Sequence, residues 1–500
     1  MLTLAITIPL LGAIALVVLP RLDERGSRLL AMVAAALPLA LLVVSWARFD
    51  TAGDDLFQQV TDVDWIPTLG VGWRIGVDGI ALALSLLTAL LFVAAVLYPV
   101  DLRGRHRQYR AWLLFLQFAS LGLFLTIDLL VFYVFFDLSL VGMYFLIGRW
   151  GHGDARTSAL KFFLYTLAGS LVMLLGFLVL YLGTDPLTFD MRELIIQQPL
   201  TGTGARATFA VVAILFGLAV KTPLVPVHTW LPPAHVDAPG PASAILAGVL
   251  LKMGTFGMIR IPLAMARDTF ATVALPLAVV AVVSIVYGAL VAMGQSDLKR
   301  RIAYTSVNHM GYAVLGIAVA GAGAAAGQQA ARDLAITGAV VEMVAHGLIT
   351  GALFLLAGSV WQRTEDYELG HYGGLASPAP RFAGATTLAA FASLGLPGLA
   401  GFVAEFQIFV GTFAVYPVLA GIALLGVLIT AALFLQMLQQ LFFGETPDRL
   451  ASFADLGTRE TVVLAVLLAL VVLIGVWPTW LLDVVTPASG LLLDVVAGAG

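Results

Sequence analysis

Long apolar runs separated by short polar connections dominate the chain. A run of about 20 apolar residues matches the hydrocarbon thickness of a bilayer. The runs predict spanning helices at 2–20, 27–47, 77–100, 111–127, 128–148, 157–182, 208–230, 241–262, 271–293, 300–320, 333–360, 382–414, 418–443 and 459–480. Only Asp128 divides the continuous stretch from 111 to 148. The run 2–20 lacks a basic leader and is read as a retained first helix rather than a signal peptide. The Gly/Ala-rich piece 320–331 reads as a connecting loop.

Basic residues test this division, because Lys and Arg concentrate on the cytoplasmic side of a membrane protein. Connections after odd-numbered spans hold most of them, among them Arg21, Arg25, Arg28, Arg103, Arg105, Arg107, Arg110, Arg149, Arg156, Lys299, Arg300, Arg301 and Arg363. Merging the runs at 127 would mix the basic connections between sides, so the charges support the split. The bias places odd connections in the cytoplasm and both termini outside. The acidic stretch from Asp50 to Asp64 then faces outward.

Two spans are interrupted. One carries Pro223 and Pro226 after Lys221, and the other carries GLPGLAG at 395–401. Proline removes a helix hydrogen bond and clashes with the preceding turn. Paired broken helices in two halves of a transporter are the usual pointer to its site. The chain divides accordingly into 1–110 (spans one to three), 111–262 and 271–443 (five spans each, the fourth of each broken), and 444–500 (the last span and a tail).

Composition sharpens the class. Hydrophobic residues make up 60% and charged residues 11% of the 500, against about 25% charged in soluble domains. The chain is therefore an all-α polytopic membrane protein. It has no cysteine, which removes Cys-ligated iron–sulfur clusters, thiolate zinc sites and disulfides. Phosphate-binding glycine loops, HExxH spacing and Ser–His–Asp arrangements are not evident. No metal or cofactor site is expected on this chain. The net charge of −4 and the lack of a basic block give no basis for nucleic-acid binding.

Ionisable groups at membrane depth carry the functional signal. A lysine at the bilayer centre costs roughly 2.5–3.5 kcal/mol on insertion scales, and such groups mark ion or proton paths. Asp137 lies among aromatics in FYVFFDLSLVG, Lys221 precedes TPLVP, Lys252 sits in LAGVLLKMGTFG, and Glu405 follows the Gly/Pro break. His309 and His346 fall mid-helix, where a near-neutral imidazole relays protons. Glu342 precedes His346 by four residues and shares its helix face. The competing readings are fixed ion pairs and satisfied core histidines that lock the bundle; for Glu405 it is an acid at the outer interface. His228 and His235 flank the Pro-rich segment and are expected near the cytoplasmic surface.

With these motifs in hand, the chain resembles the M-subunit family of bacterial respiratory complex I, the NADH dehydrogenase subunit 4 family. KTPLVPVHTWLPPAHVDAPGPASAILAGVLLKMGTFGMIR (221–260) carries most of the likeness, with DLKRRIAYTSVNHMGYAVLGI (297–317) and AHGLITGALFLLAG (345–358). The resemblance runs from about residue 75 to 445. It implies a proton-translocating bundle of fourteen helices with two inverted five-helix repeats. It implies that Asp137 pairs with Lys221, that Lys252 continues the line and that Glu405 ends it. Sister subunits and Mrp-type antiporter subunits usually carry lysine at the last position, so Glu405 favours the M subunit. The family's usual acid at 137 is glutamate, and the shorter Asp137 changes the reach to Lys221 by about 1.5 Å. The resemblance further implies antiporter-like neighbours on both sides and a bacterial inner membrane. NADH, FMN, iron–sulfur clusters and quinone would reside on partner chains. The alternative reading is a subunit of a Mrp-type sodium/proton antiporter.

Overall fold

The computed structural model describes residues 1–19, 22–102, 104–200, 202, 204–322 and 328–498. Pro20, Arg21, Arg103 and the 323–327 part of the Gly/Ala-rich connection lie outside these residues.

Helices dominate, and all fourteen predicted spans appear. The first six are α1 (Leu2–Val18), α2 (Glu24–Ala47), α3 (Gly79–Leu97), α4 (His106–Leu125), α5 (Leu129–Trp150) and α6 (Ala155–Tyr181). A short helix α7 (Met191–Gln197) precedes the broken seventh span, α8 (Ala205–Lys221) and α9 (Leu231–Asp237). Span eight is α10 (Gly240–Leu263), followed by α11 (Arg267–Met293), α12 (Leu298–Gly321) and α13 (Gln329–Thr364). The broken twelfth span is α14 (Pro380–Ser393) and α15 (Ala400–Val415), and α16 (Pro417–Phe442) and α17 (Thr458–Val476) complete the set. The tail after 480, to which the sequence assigned no element, is a helix, α18 (Thr479–Gly498). Its Leu481, Val485, Ala488 and Leu492 are buried at helical spacing. It lies so close to α3 that a Cβ on Gly79 would meet the Val484 carbonyl at 2.0 Å.

The split at 127/128 has a local cause. Asp128 caps α5, its Oδ1 accepting from the Leu130 and Val131 amides at 3.0 and 3.1 Å. A capping carboxylate satisfies backbone donors that have no partner within the helix. Its other oxygen accepts from the Gly72 amide at 2.9 Å and from Arg74 at 3.0 Å. Asp23, Asp78, Asp190 and Asp297 cap α2, α3, α7 and α12 in the same way.

The acidic stretch expected to face outward is not a loop throughout. Strands β1 (Gln58–Ile66) and β2 (Val71–Val77) form an antiparallel hairpin in which Asp62 faces Arg74. Arg74 is ion-paired to Asp62, Asp64, Asp128 and Asp190, at 3.1, 3.3, 3.0 and 3.4 Å. The hairpin is thereby clasped to the starts of α5 and α7.

Helices α10 and α13 form the buried centre. α13 packs against α10, α12 and α15, while α8 packs against α6. Around this centre, Leu29, Leu171, Phe413 and Leu428 are exposed apolar side chains, suited to lipid. Two π-helical turns, Leu246–Leu250 and Ile259–Leu263, flank the middle of α10. No glycine or proline pattern in the sequence foretold the first of them.

Candidate functional site

Both predicted breaks occur, and each brings a charged residue to a helix end or its neighbourhood. α8 stops at Lys221 because the following TPLVP cannot continue the hydrogen-bond ladder. Lys221 is therefore the last helical residue, at the end where the helix dipole favours a cation. Its amine donates to Ser139 Oγ at 2.9 Å and lies 4.7 Å from the centre of the Phe136 ring. Ser139 in turn donates to the Phe136 carbonyl.

The implied Asp137–Lys221 pair is not closed. Among the described residues no ion pair joins them, and Asp137 Oδ1 has no hydrogen-bond partner. Helix geometry explains this. Phe136 and Ser139, three residues apart, share the face of α5 that meets Lys221, whereas Asp137 and Ser139, two apart, do not. Asp137 turns instead toward Tyr133 and Ser170 while staying within electrostatic reach of Lys221.

Lys252 is completely buried on α10. Its amine donates to the Ala247 carbonyl at 2.5 Å and meets His346 Nδ1 at 2.6 Å. An ammonium can only donate, so Nδ1 must accept, and His346 is then neutral with its proton on Nε2. The Ala247 carbonyl belongs to the first π-helical turn. Gly254, one half-turn beyond Lys252, packs against Thr222, whose hydroxyl would lie 2.1 Å from a Cβ at that position. Thr222 Oγ1 is buried and without a partner.

The second half gathers the remaining candidates. The His346 and His309 rings are 5.6 Å apart. His309 Nδ1 lies 3.4 Å from Glu342 and 3.8 Å from Glu405, and its Nε2 is 3.0 Å from Ser393 Oγ. Glu342 and His346 thus share a face as predicted, but Glu342 contacts His309 rather than His346. Glu405 is 6% exposed, so it is buried within the protein. Its carboxylate rests on the break: a Cβ on Gly395 would meet Oε2 at 2.5 Å, and Gly395 has φ +76°. A cavity of about 10 Å³ is lined by His309, Glu342, His346, Ser393 and Gly401. That is room for about one water.

The arrangement is chemically a relay. A proton on Lys252 has His346 Nδ1 as its acceptor within hydrogen-bond distance, and the Nε2–H of His346 has no protein partner. The adjoining cavity, which His309, Glu342 and His346 all line, has room for about one water between them. Neither carboxylate is bonded to a cation that never loses its proton, so both can accept.

Several functional groups escaped the sequence reading. Ser139 and Ser393 look like ordinary small helix residues, and nothing in their spacing marks them. His235 is fully buried in the protein and stacks on Phe354 at 4.3 Å. Lys299, counted with the basic connection, is also buried, donating to the Val236 carbonyl at 3.3 Å and to that of Ala238. Among the described residues no group of three or more His, Asp or Glu side chains is arranged to hold a metal ion.

Comparison with known proteins agrees with this architecture. Residues 126–433 match the family model described as NADH:quinone oxidoreductase/Mrp antiporter, TM. The chain is 37% identical to NAD(P)H-quinone oxidoreductase chain 4 1 of Picosynechococcus sp., over 95% of this chain and 89% of the relative. It is 36% identical to NADH-quinone oxidoreductase subunit M of Rhodobacter capsulatus, over 97% and 95%. A chain of respiratory complex I from Thermus thermophilus superposes with a TM-score of 0.88 at 30% identity, over 99% of this chain and 100% of that one. The fold, the two breaks and these matches together place the chain in the NADH:quinone oxidoreductase/Mrp antiporter transmembrane family.

Proposed function

We propose that the chain moves protons as a membrane-arm subunit of an NADH:quinone oxidoreductase. The carrying observation is the run Lys252–His346–His309–Glu342/Glu405, wholly buried and joined by contacts or one water's reach. Asp137 and Lys221 load and tune the other end of that run. No nucleotide motif or thiolate is present, so the redox chemistry is assigned to partner chains carrying NADH, FMN, iron–sulfur clusters and quinone. The family model is shared with Mrp antiporters, but the relatives named above are quinone oxidoreductase subunits. An acid at 405 fits the same reading.

The division into 1–110, 111–262, 271–443 and 444–500 belongs to this proposal, each five-span half supplying one broken helix. So do antiporter-like neighbours on both sides, a bacterial inner membrane, and both termini on the outer side, as the arginine bias directs.

The test is Lys221→Ala in the assembled complex, reconstituted in vesicles. Proton translocation and coupled NADH–quinone turnover are expected to collapse while subunit content stays normal. Wild-type pumping by a fully assembled variant refutes the reading.

A further inference from the structure

A pocket of about 150 Å³ lies on the arginine-bearing face and shares no lining residue with the relay. It sits where the starts of α2, α4 and α17 meet the end of α3. Three arginines line it, one from each helix start: Arg28, Arg110 and Arg459. Helix N-termini carry partial positive charge and favour anions. Here each one carries a cation instead.

Little negative charge answers them. Glu24 lines the same pocket, but it is exposed, and its Oε1 is 3.8 Å from Arg110 Nη2, too far for a hydrogen bond. Asp23 is spent on the Gly26 amide, and Glu460 on Arg363 at 2.7 Å. Among the described residues neither Arg28 nor Arg459 has an ion pair. Arg110 is 4% exposed and held in place, its Nη1 donating to Ser27 Oγ at 2.6 Å and to the Glu24 carbonyl at 3.2 Å.

A second, separate observation points to a ligand. Tyr109 lines the pocket and is 2% exposed, and its hydroxyl has no partner. A buried donor left unpaired is costly. The pocket is also far larger than the single-water cavity beside His309.

We propose that this pocket binds a phosphate group, carried by an anionic phospholipid headgroup or free in solution, and that the bound group ties the first spans to the last. Guanidinium forks match phosphate oxygens two at a time. The Tyr109 hydroxyl adds a donor from the buried side, and Leu97 supplies an apolar wall. The helices so joined otherwise rest on different neighbours, α2 and α4 on α1, and α17 on α13 and α15.

The test uses the complex purified with its native partners and stripped of lipid in detergent. The double variant Arg28→Gln/Arg459→Gln and the single variant Tyr109→Phe are compared with the parent. Radiolabelled phosphatidylglycerol and radiolabelled inorganic phosphate are titrated in separate arms, and bound label is counted per complex. Sites on other subunits are common to all three proteins, so the difference reports this pocket. The parent is expected to hold one equivalent more than the double variant. Tyr109→Phe should bind that equivalent about tenfold more weakly or worse, the scale of a hydrogen bond to a charged group. A difference only with phosphatidylglycerol assigns the site to a lipid headgroup, and a difference with inorganic phosphate assigns it to the free anion. Saturating ligand should raise the thermal midpoint of the parent more than that of the double variant. Equal binding by parent and double variant in both arms overturns the proposal, and an equal midpoint rise overturns the tie between spans. If the double variant does not assemble, Tyr109→Phe decides alone, and parental affinity in that variant overturns the proposal.

Discussion

Replacing His346 with leucine cuts the relay at its tightest joint. Lys252 has two polar contacts, the Ala247 carbonyl at 2.5 Å and His346 Nδ1 at 2.6 Å. Leucine matches the ring's bulk roughly and removes the second. A hydrogen bond to a charged group contributes about 1.5–3 kcal/mol. Lost from the charged state of the carrier, that is a factor of roughly 10–150 in its population. The loss also removes the imidazole whose ring stands 5.6 Å from His309, so no side chain is left to carry the proton across. The expected result is proton translocation reduced by about tenfold or more, with coupled NADH–quinone turnover falling alongside. The assay is NADH-driven acidification of reconstituted vesicles at matched complex content. His346→Gln keeps an acceptor for Lys252 but cannot take up a proton, so it should assemble better than the leucine variant and still pump poorly. The reasoning fails if the leucine variant assembles and pumps at the wild-type rate. It also fails if the glutamine variant pumps normally, because the contact would then be structural support for Lys252 and not a step.

Other perturbations probe other links of the same line. Asp137→Asn removes the charge that acts on Lys221 through space, and pumping should fall as in Lys221→Ala. Asp137→Glu should retain activity, measured in the same vesicles. Gly395→Ala places a Cβ where it would lie 2.5 Å from Glu405 Oε2, at a φ of +76°. The left-handed backbone costs an alanine about 1–2 kcal/mol. The complex should therefore assemble with modest loss, and the displaced carboxylate should slow translocation more than NADH oxidation in uncoupled membranes. Arg74→Leu leaves the buried Asp128 carboxylate without its cation. Breaking such a pair typically costs about 3–5 kcal/mol, so the yield of assembled complex and its thermal midpoint should drop sharply.

Much of this architecture is legible in the sequence because a bilayer makes strict demands. Each span must be long and apolar, so runs and arginine asymmetry give the helices, down to the break at Asp128. The two helix interruptions follow from proline and glycine chemistry alone. The hairpin was less visible, because Asp62 and Asp64 made a strand look like an acidic loop. Its alternation of Thr61, Val63 and Trp65 with those acids was the available signal. α18 was missed because it lies past the last full-length apolar run and earns its burial by packing on α3. Within the site, charge out of place identified the carriers but not their partners. Two residues of separation turn Asp137 away from the face that Ser139 shares with Lys221, and helix periodicity could have given that. The meeting of Lys252 with His346 joins α10 to α13, and no local pattern encodes which distant helix arrives there.

The breaks make the line of charges possible. A continuous helix offers a buried ion only side chains, since its own carbonyls are already bonded. At Lys221 the ladder ends, and the amine turns to Ser139 Oγ on α5. At Gly395 the backbone turns where no side chain would fit, and the Glu405 carboxylate occupies that space. At Ala247 the π-helical turn releases a carbonyl to Lys252. Lys221, Lys252 and Glu405 thus each reach a place where regular helix has been given up, and the π-helical turn at Ala247 is wholly buried, where irregular backbone is tolerated at membrane depth. Because polar contacts are few at each site, with one unpaired oxygen on both Asp137 and Glu342, no carrier is locked by a complete set of partners. A bundle built only for stability would complete those sets. Leaving them open is what allows a proton to change owners.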